Sequence, residues 1–262
     1  MNNKILHCFY FIQLSICALF CSCKSSDDKT VKTNIDKTSI RQTAYISYGD
    51  NPGAEKWYEY YSNGDLKRYN SFIDTIELQY QKDSIIKIYS NNGNEWLTKI
   101  IYQLDYKNRV VTSTIWVEKN EKLSSYIFEY TKEGYLSKTV QTVFATGYSY
   151  VQEFKYIDGN LSEIQTYTYD GKPASRYIYS YYPDQPNILN LFFESILDDY
   201  FTNERLGKMN KNLVKEMVNL SIEGDTLSWL KYKYYTDPGN KFLKQHETDV
   251  LNNNSTERIF HF

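Results

Sequence analysis

Cysteine is missing from almost the whole of this 262-residue chain: Cys8, Cys17, Cys21 and Cys23 all fall in the first 23 residues and none follows. A domain folded from the remainder has no disulfide, no thiolate metal site and no thiol nucleophile. Histidine is nearly as scarce, with only His246 and His261 after Cys23. That makes a zinc site or a serine–histidine triad hard to assemble, and a lone histidine among polar residues is ordinarily surface. Neither sign of charge dominates, since 30 basic residues face 32 acidic ones and the formal net charge is −2. Such a chain has no field to draw in DNA or RNA, so nucleic acid is not an expected partner. Phosphate-cradling glycine loops, zinc-protease histidine pairs, calcium loops and nucleophile elbows are absent, and no metal or cofactor is expected.

Long apolar runs are also lacking, with one exception at the amino terminus. Lys4 precedes a mostly apolar stretch from Ile5 to Phe20, interrupted by His7, Gln13 and Ser15, and the polar segment Lys24 to Asp28 follows. The run falls short of the roughly 20 apolar residues that span a bilayer and has the layout of a signal peptide. Phe20, Cys21, Ser22 and Cys23 resemble a bacterial lipobox, in which a small residue precedes a cysteine that is acylated before cleavage. The resemblance implies that residues 1–22 are removed and that Cys23 carries lipid, with Cys21 as the rival. Several acyl chains at about 0.8 kcal/mol per buried methylene give a stable anchor.

Lys24, Ser25, Ser26, Asp27, Asp28 and Lys29 resemble the short acidic signal that directs Bacteroidota lipoproteins to the cell surface; a solvated tether accounts for them equally well. The expected location is the outer membrane, lipid-anchored and facing outward. Residues 23–43, polar and without periodicity, form the expected flexible tether, able to reach about 60 Å when extended.

From residue 44 to 262 the composition shifts to strand formers: the chain has 27 Tyr, 13 Phe and 4 Trp, and apolar and polar residues alternate. Period-two alternation marks half-buried strands, as in Tyr126–Tyr130 and on both sides of the Asp170–Gly171 turn. A degenerate unit recurs: an aromatic strand, a polar turn with Gly or Asn, and a second strand opening on an apolar residue. It is found around Asn63–Gly64, Lys107–Asn108, Glu133–Gly134 and Asp158–Gly159, and Gly93, Gly224 and Gly239 mark three further turns. Its spacing is too variable for a solenoid. The expected fold is therefore mainly β, a tyrosine-rich antiparallel hairpin meander forming a curved sheet or half barrel. One short amphipathic helix is expected near 187–201, where Ile188, Leu191, Phe192, Ile196 and Tyr200 follow the cap Asn187.

Tyrosine strand pairs with glycine turns, then a helix, then Leu206–Gly207–Lys208 before Lys211–Asn212–Leu213, resemble the DUF4595 family of Bacteroidota lipoproteins. Asn210 stands where that pattern has a small hydroxyl residue. The resemblance covers roughly residues 55–250 and implies a porin-like, curved antiparallel β fold with no assigned activity. A membrane-spanning pore is disfavoured because Lys, Glu and Asp interrupt nearly every strand, whereas a lipid-facing band needs uncharged residues at alternate positions.

Function is less legible. The expected role is non-enzymatic binding or scaffolding at the envelope, with a glycan or an envelope protein as partner and the membrane reached through lipid. Trp57, Trp96, Trp116 and Trp229 are the candidate sugar platform, because indole faces suit sugar rings; cross-strand packing is the competing reading. The alternative is a glycoside hydrolase-like enzyme using paired carboxylates, with Glu194, Asp198, Asp199 and Glu204 as the cluster to inspect. Thr75, Ser84 and Thr226 each follow an aspartate and precede an aliphatic residue, a pattern resembling Bacteroides O-glycosylation acceptors. Turns entering strands have the same pattern.

Overall fold

Four hairpins of this protein close with one and the same turn. Its first residue donates its amide to the carbonyl four positions on, and the fourth residue, in the left-handed region, donates back to the first. The pattern holds for Asp105–Arg109, Thr131–Tyr135, Thr168–Lys172 and Ser221–Asp225, with Asn108, Gly134, Gly171 and Gly224 at φ +60°, +98°, +78° and +94°. This is a type I turn followed by a one-residue bulge, which tolerates only Gly or Asn at the fourth place. The first residue is Asp, Thr or Ser because its side chain also serves the turn. Asp105 Oδ1 accepts from the amides of Lys107 and Arg109, and Ser221 Oγ accepts from those of Glu223 and Asp225. The degenerate repeat of the sequence is this motif. Asp158–Gly159 makes the tighter variant, with positive φ at both residues, as a two-residue type I′ turn requires.

The computed structural model describes residues 43–48, 51–62, 65–71, 74–91, 96–117, 121–187, 204–236 and 242–261, with side chains over a subset of these. They form β1 (Thr43–Tyr48), β2 (Asn51–Tyr60), β3 (Leu66–Ser71), β4 (Asp74–Tyr80), β5 (Ser84–Asn91), β6 (Trp96–Leu104), β7 (Val110–Val117) and β8 (Glu121–Tyr130). There follow β9 (Leu136–Val143), β10 (Ser149–Ile157), β11 (Asn160–Tyr167), β12 (Pro173–Pro186), β13 (Asn212–Ser221), β14 (Thr226–Thr236), β15 (Phe242–Asp249) and β16 (Asn254–His261). Each strand pairs antiparallel with its sequence neighbours, and β1 also pairs with β16, Ala44 opposite Phe260, which closes the strand order into a barrel. The expected antiparallel meander is thus present, and its curvature runs on past a half barrel to closure.

Alternation sorts the side chains into two faces. Ile76 and Leu78, Ile85 and Lys87, Phe128, Leu136, Phe154, Leu161, Ile164, Tyr179 and Met217 are buried. The one element besides strands among the described residues is a single 3-10 turn, Glu204–Leu206, and the apolar ones among these buried side chains make one core. The residues between them carry charge: Lys155 Nζ lies 2.6 Å from Glu163 Oε1 across β10 and β11, and Lys244 Nζ 2.6 Å from Glu257 Oε2 across β15 and β16. Such ion pairs on the outer face differ from the uncharged band of a lipid-spanning barrel.

Tyrosines complete the lining. Burial raises the hydroxyl of Tyr126 to about 12 and pushes those of Tyr130, Tyr156 and Tyr181 up further. Buried hydroxyls need partners. Tyr80 Oη donates to the carbonyl of Leu66 (2.9 Å), Tyr130 Oη to Val110 (2.6 Å) and Tyr181 Oη to Leu161 (2.7 Å). In each case a tyrosine on one hairpin's first strand, the last residue of that strand for Tyr80 and Tyr130, satisfies the carbonyl at the start of the preceding hairpin's second strand. The buried Lys87 ammonium lies over the rings of Tyr69 and Tyr89, 5.6 and 4.7 Å from their centroids.

The helix expected near 187–201 lies outside the described residues, apart from Asn187 before it. The Asn187 amide side chain donates to the carbonyl of Asn210. Thr75, Ser84 and Thr226 all stand at the opening of strands, as turn chemistry implies. Ser84 is buried and donates to Gln81 Oε1.

Candidate functional site

Antiparallel neighbours place alternate turns at opposite ends of the ring, and the two ends differ in chemistry. At the end formed by the β2–β3, β4–β5, β6–β7, β8–β9 and β10–β11 turns, residues 204–212 form a strap across them. Arg205 reaches Asp65 Oδ1 at 3.4 Å and lies over the Tyr80 ring. Leu206 is buried. The Lys208 amide donates to Gly134 O and the Lys211 amide to Gly159 O. Asn210 Oδ1 accepts from the Leu161 amide (2.8 Å), and Asn212 exchanges bonds with Asn160, its amide donating at 2.9 Å and its side chain accepting at 3.1 Å. The segment Leu206–Leu213 that stood out in the sequence is this strap. At Asn210 a small hydroxyl would supply the same acceptor.

Charges at this end are held by the fold. Burial acts to raise the Asp105 carboxyl, but the Arg109 amide and guanidinium outweigh it and hold it below the usual range. The same guanidinium stacks on the Tyr130 ring, 4.2 Å from its centroid. Arg205, Asp105, Arg109, Asn210 and Asn212 are each held by a neighbour.

Tyr106 in the β6–β7 turn of this end is 89% exposed, with Lys107 over its ring, and the other end presents a cluster of aromatics to solvent. In the β9–β10 turn, Phe144 and Tyr148 are 45% and 40% exposed, and Tyr169 in the β11–β12 turn is 55% exposed. Tyr148 and Tyr169 stack with centroids 4.1 Å apart and planes 11° from parallel. Tyr150, two residues from Gln152 and four from the buried Phe154, shares their face of β10 and is nevertheless 38% exposed. Beneath Tyr169, Lys172 and then Thr168 hold the Asp170 carboxyl down to about 2, fixing the turn that carries the ring.

Of the four candidate tryptophans, Trp116 and Trp229 have described side chains. Trp116 on β7 is half-buried, its Nε1 shielded and without a hydrogen-bond partner, and Lys99 and Lys122 lie over its ring at 5.5 and 5.1 Å. Trp229 on β14 donates Nε1 to Glu216 Oε1 at 2.5 Å and carries Lys231 over its ring at 4.4 Å. Both are engaged with neighbours. The side chains of Trp57 and Trp96 lie outside the described residues, as do Cys23, Glu194, Asp198 and Asp199. Glu204 opens the 3-10 turn, its side chain also beyond description. His246 on β15 is half-buried, in register with Lys233 and Glu257.

The exposed set of Phe144, Tyr148, Tyr150 and Tyr169 was missed by attending to tryptophan. Its signal was present: an aromatic inside a turn motif, as in Thr168–Lys172, has no cross-strand partner to cover it.

No family model matches the chain, and no curated protein matches it. Among solved structures it is similar to a porin-like protein from Bacteroides uniformis ATCC 8492, with a TM-score of 0.59 and 17% identity over 86% of this chain and 95% of that one. The similarity is one of fold.

Proposed function

We propose that this chain is a lipid-anchored envelope protein that binds carbohydrate without transforming it, through the aromatic rim. The observation that carries the reading is the stacked and exposed Tyr148–Tyr169 pair beside Phe144 and Tyr150. Tyrosine offers a flat apolar face and a hydroxyl, the two features a sugar ring engages. Anchoring by acyl chains on Cys23 is supported by the leader and by the charged outer face of the strands, which has no place in lipid.

Two experiments test it. Metabolic labelling with palmitate should mark the wild-type chain and be abolished by Cys23→Ala; persistent labelling would move the anchor to Cys21. The full chain in mild detergent should bind members of a glycan array, and the double variant Tyr148→Ala, Tyr169→Ala should weaken that binding at least about tenfold, as loss of two aromatic contacts implies. Undiminished binding in the variant, or no glycan bound by the wild type, overturns the carbohydrate reading.

A further inference from the structure

One wall of the ring is layered from strap to rim. Register sets Phe154, Ile164 and Tyr177 side by side on β10, β11 and β12. One step nearer the rim it lines up Thr139, Gln152, Thr166, Ser175 and Ser221 across β9–β13. Alternation gives both rows the face of the buried Tyr179 and Met217. Lys138, Glu153, Lys155, Glu163, Arg176 and Glu216 fall on the opposite face by the same register, so the second row is a belt of polar groups without charge.

Exposure rises along this wall. Phe154, Ile164, Tyr179 and Met217 are buried, Gln152, Thr166, Ser175, Asn219 and Ser221 are half-buried, and Tyr150 beyond Gln152 is exposed. On β8 and β9 the same face stays shielded up to the rim, at Ser124 and Val143. Solvent therefore reaches the core face from the rim along β10–β13, over a polar belt that rests on an apolar floor.

The belt is held by its own bonds and keeps bonding capacity. Thr139 Oγ1 donates to Gln152 Oε1 at 3.1 Å, and the hydroxyls of Thr166 and Ser175 meet at 2.8 Å. With its oxygen engaged, Gln152 retains its N–H groups as donors. Asn219, in register between Tyr177 and Ser228, has a shielded Oδ1 with no hydrogen-bond partner among the described residues. Such an acceptor is costly until a donor arrives.

We infer that the terminal residue of an uncharged glycan enters the ring at this wall. Its hydroxyls bond to Gln152 and Asn219, and the rest of the chain leaves over Tyr150 and the Tyr148–Tyr169 pair. Carboxamides match sugar hydroxyls because both donate and accept. The two amides stand three strands apart, roughly 14 Å along the wall, which leaves room for a sugar ring between their side chains. The floor is buried and the strap crosses the turns beyond it, so a ligand entering from the rim stops there, as a chain end does. The inference rests on the carbohydrate reading above and adds which part of the glycan is bound.

The test uses the full chain in detergent with a neutral glucan, a mannan and a xylan, each as hexasaccharide and as parent polymer, and an oligouronate of the same length as a charged control. The neutral glycan that binds should saturate at one protein per chain end, so that hexasaccharide and polymer agree per mole of ends. The oligouronate should bind more weakly. Asn219→Leu removes the unpartnered acceptor, so it should leave Tm unchanged or raised while lowering affinity about tenfold, the scale of one lost buried hydrogen bond. Gln152→Leu, with folding checked by circular dichroism, is the second variant and should lower affinity similarly. A polymer bound in proportion to its length with affinity unmoved by either variant, or tighter binding of the oligouronate, overturns the chain-end inference and leaves the aromatic rim standing. Binding of no probe removes both.

Discussion

Gly207 shows how narrowly one position of the strap is specified. Its φ is +87°, and a Cβ built there would collide with the carbonyl oxygen of Gly134 and press on the ring of Tyr130 at 3.0 Å. Backbone and neighbour object together. Relief is not available locally, since Gly134 O also accepts the Lys208 amide and Tyr130 Oη is committed to Val110 O. Gly207→Ala should therefore destabilise the fold by roughly 3 kcal/mol, combining left-handed strain with overpacking. Chemical denaturation would measure it, and a loss under about 1 kcal/mol would mean the strap can lift off the turns. Gly147, by contrast, would meet nothing within 4 Å of an added Cβ despite its φ of +71°, so only backbone strain opposes substitution there.

At the scale of elements, the hairpins were legible because each is written locally. A first residue with a hydroxyl or carboxylate, two polar residues and then Gly or Asn specify the turn, and alternation specifies the strands on either side. Thr131–Tyr135 and Thr168–Lys172 could be read directly from that pattern. What joins the hairpins was not legible in the same way. The bond from Tyr130 Oη to Arg205 O spans 75 residues and that from Asn210 to Leu161 spans 49; both depend on which turns share an end of the ring, a property of the assembled sheet. The resemblance at Leu206–Leu213 found the strap without revealing its task. Exposure of the aromatics was not legible either, because it is decided by strand position and not by side-chain chemistry. Trp116 and Trp229 lie within strands beside lysines, and Tyr169 lies in a turn.

For the molecule as a whole, a tyrosine-lined interior makes stability a function of alkaline pH. Tyr102, Tyr126, Tyr130, Tyr156 and Tyr181 all have hydroxyls pushed above their ordinary value of 10.0, chiefly by burial. The sign follows from the protons: above about pH 10 the unfolded chain releases them while the folded chain retains them. The stabilisation is complete below about pH 10 and is lost as pH rises toward about 12 for Tyr126 and beyond it for the others, at about 1.4 kcal/mol per pH unit for each such tyrosine. Thermal melts from about pH 8 to about pH 12 should show a flat Tm up to about pH 10 and then a steep fall. A Tm unchanged across that range would mean the tyrosines are not buried.

The pairing of β1 with β16 has a consequence for the order in which the ring is made. Every other strand pair joins neighbours in the chain, so hairpins can form one after another along the polypeptide. Closure alone must wait for the last strand. Until Phe260 reaches Ala44, both strands are bare edges with unpaired backbone groups, the state in which a β protein is open to pairing with another chain. The interval between the pairing of β15 and the arrival of β16 is then the period of greatest risk in the life of this protein.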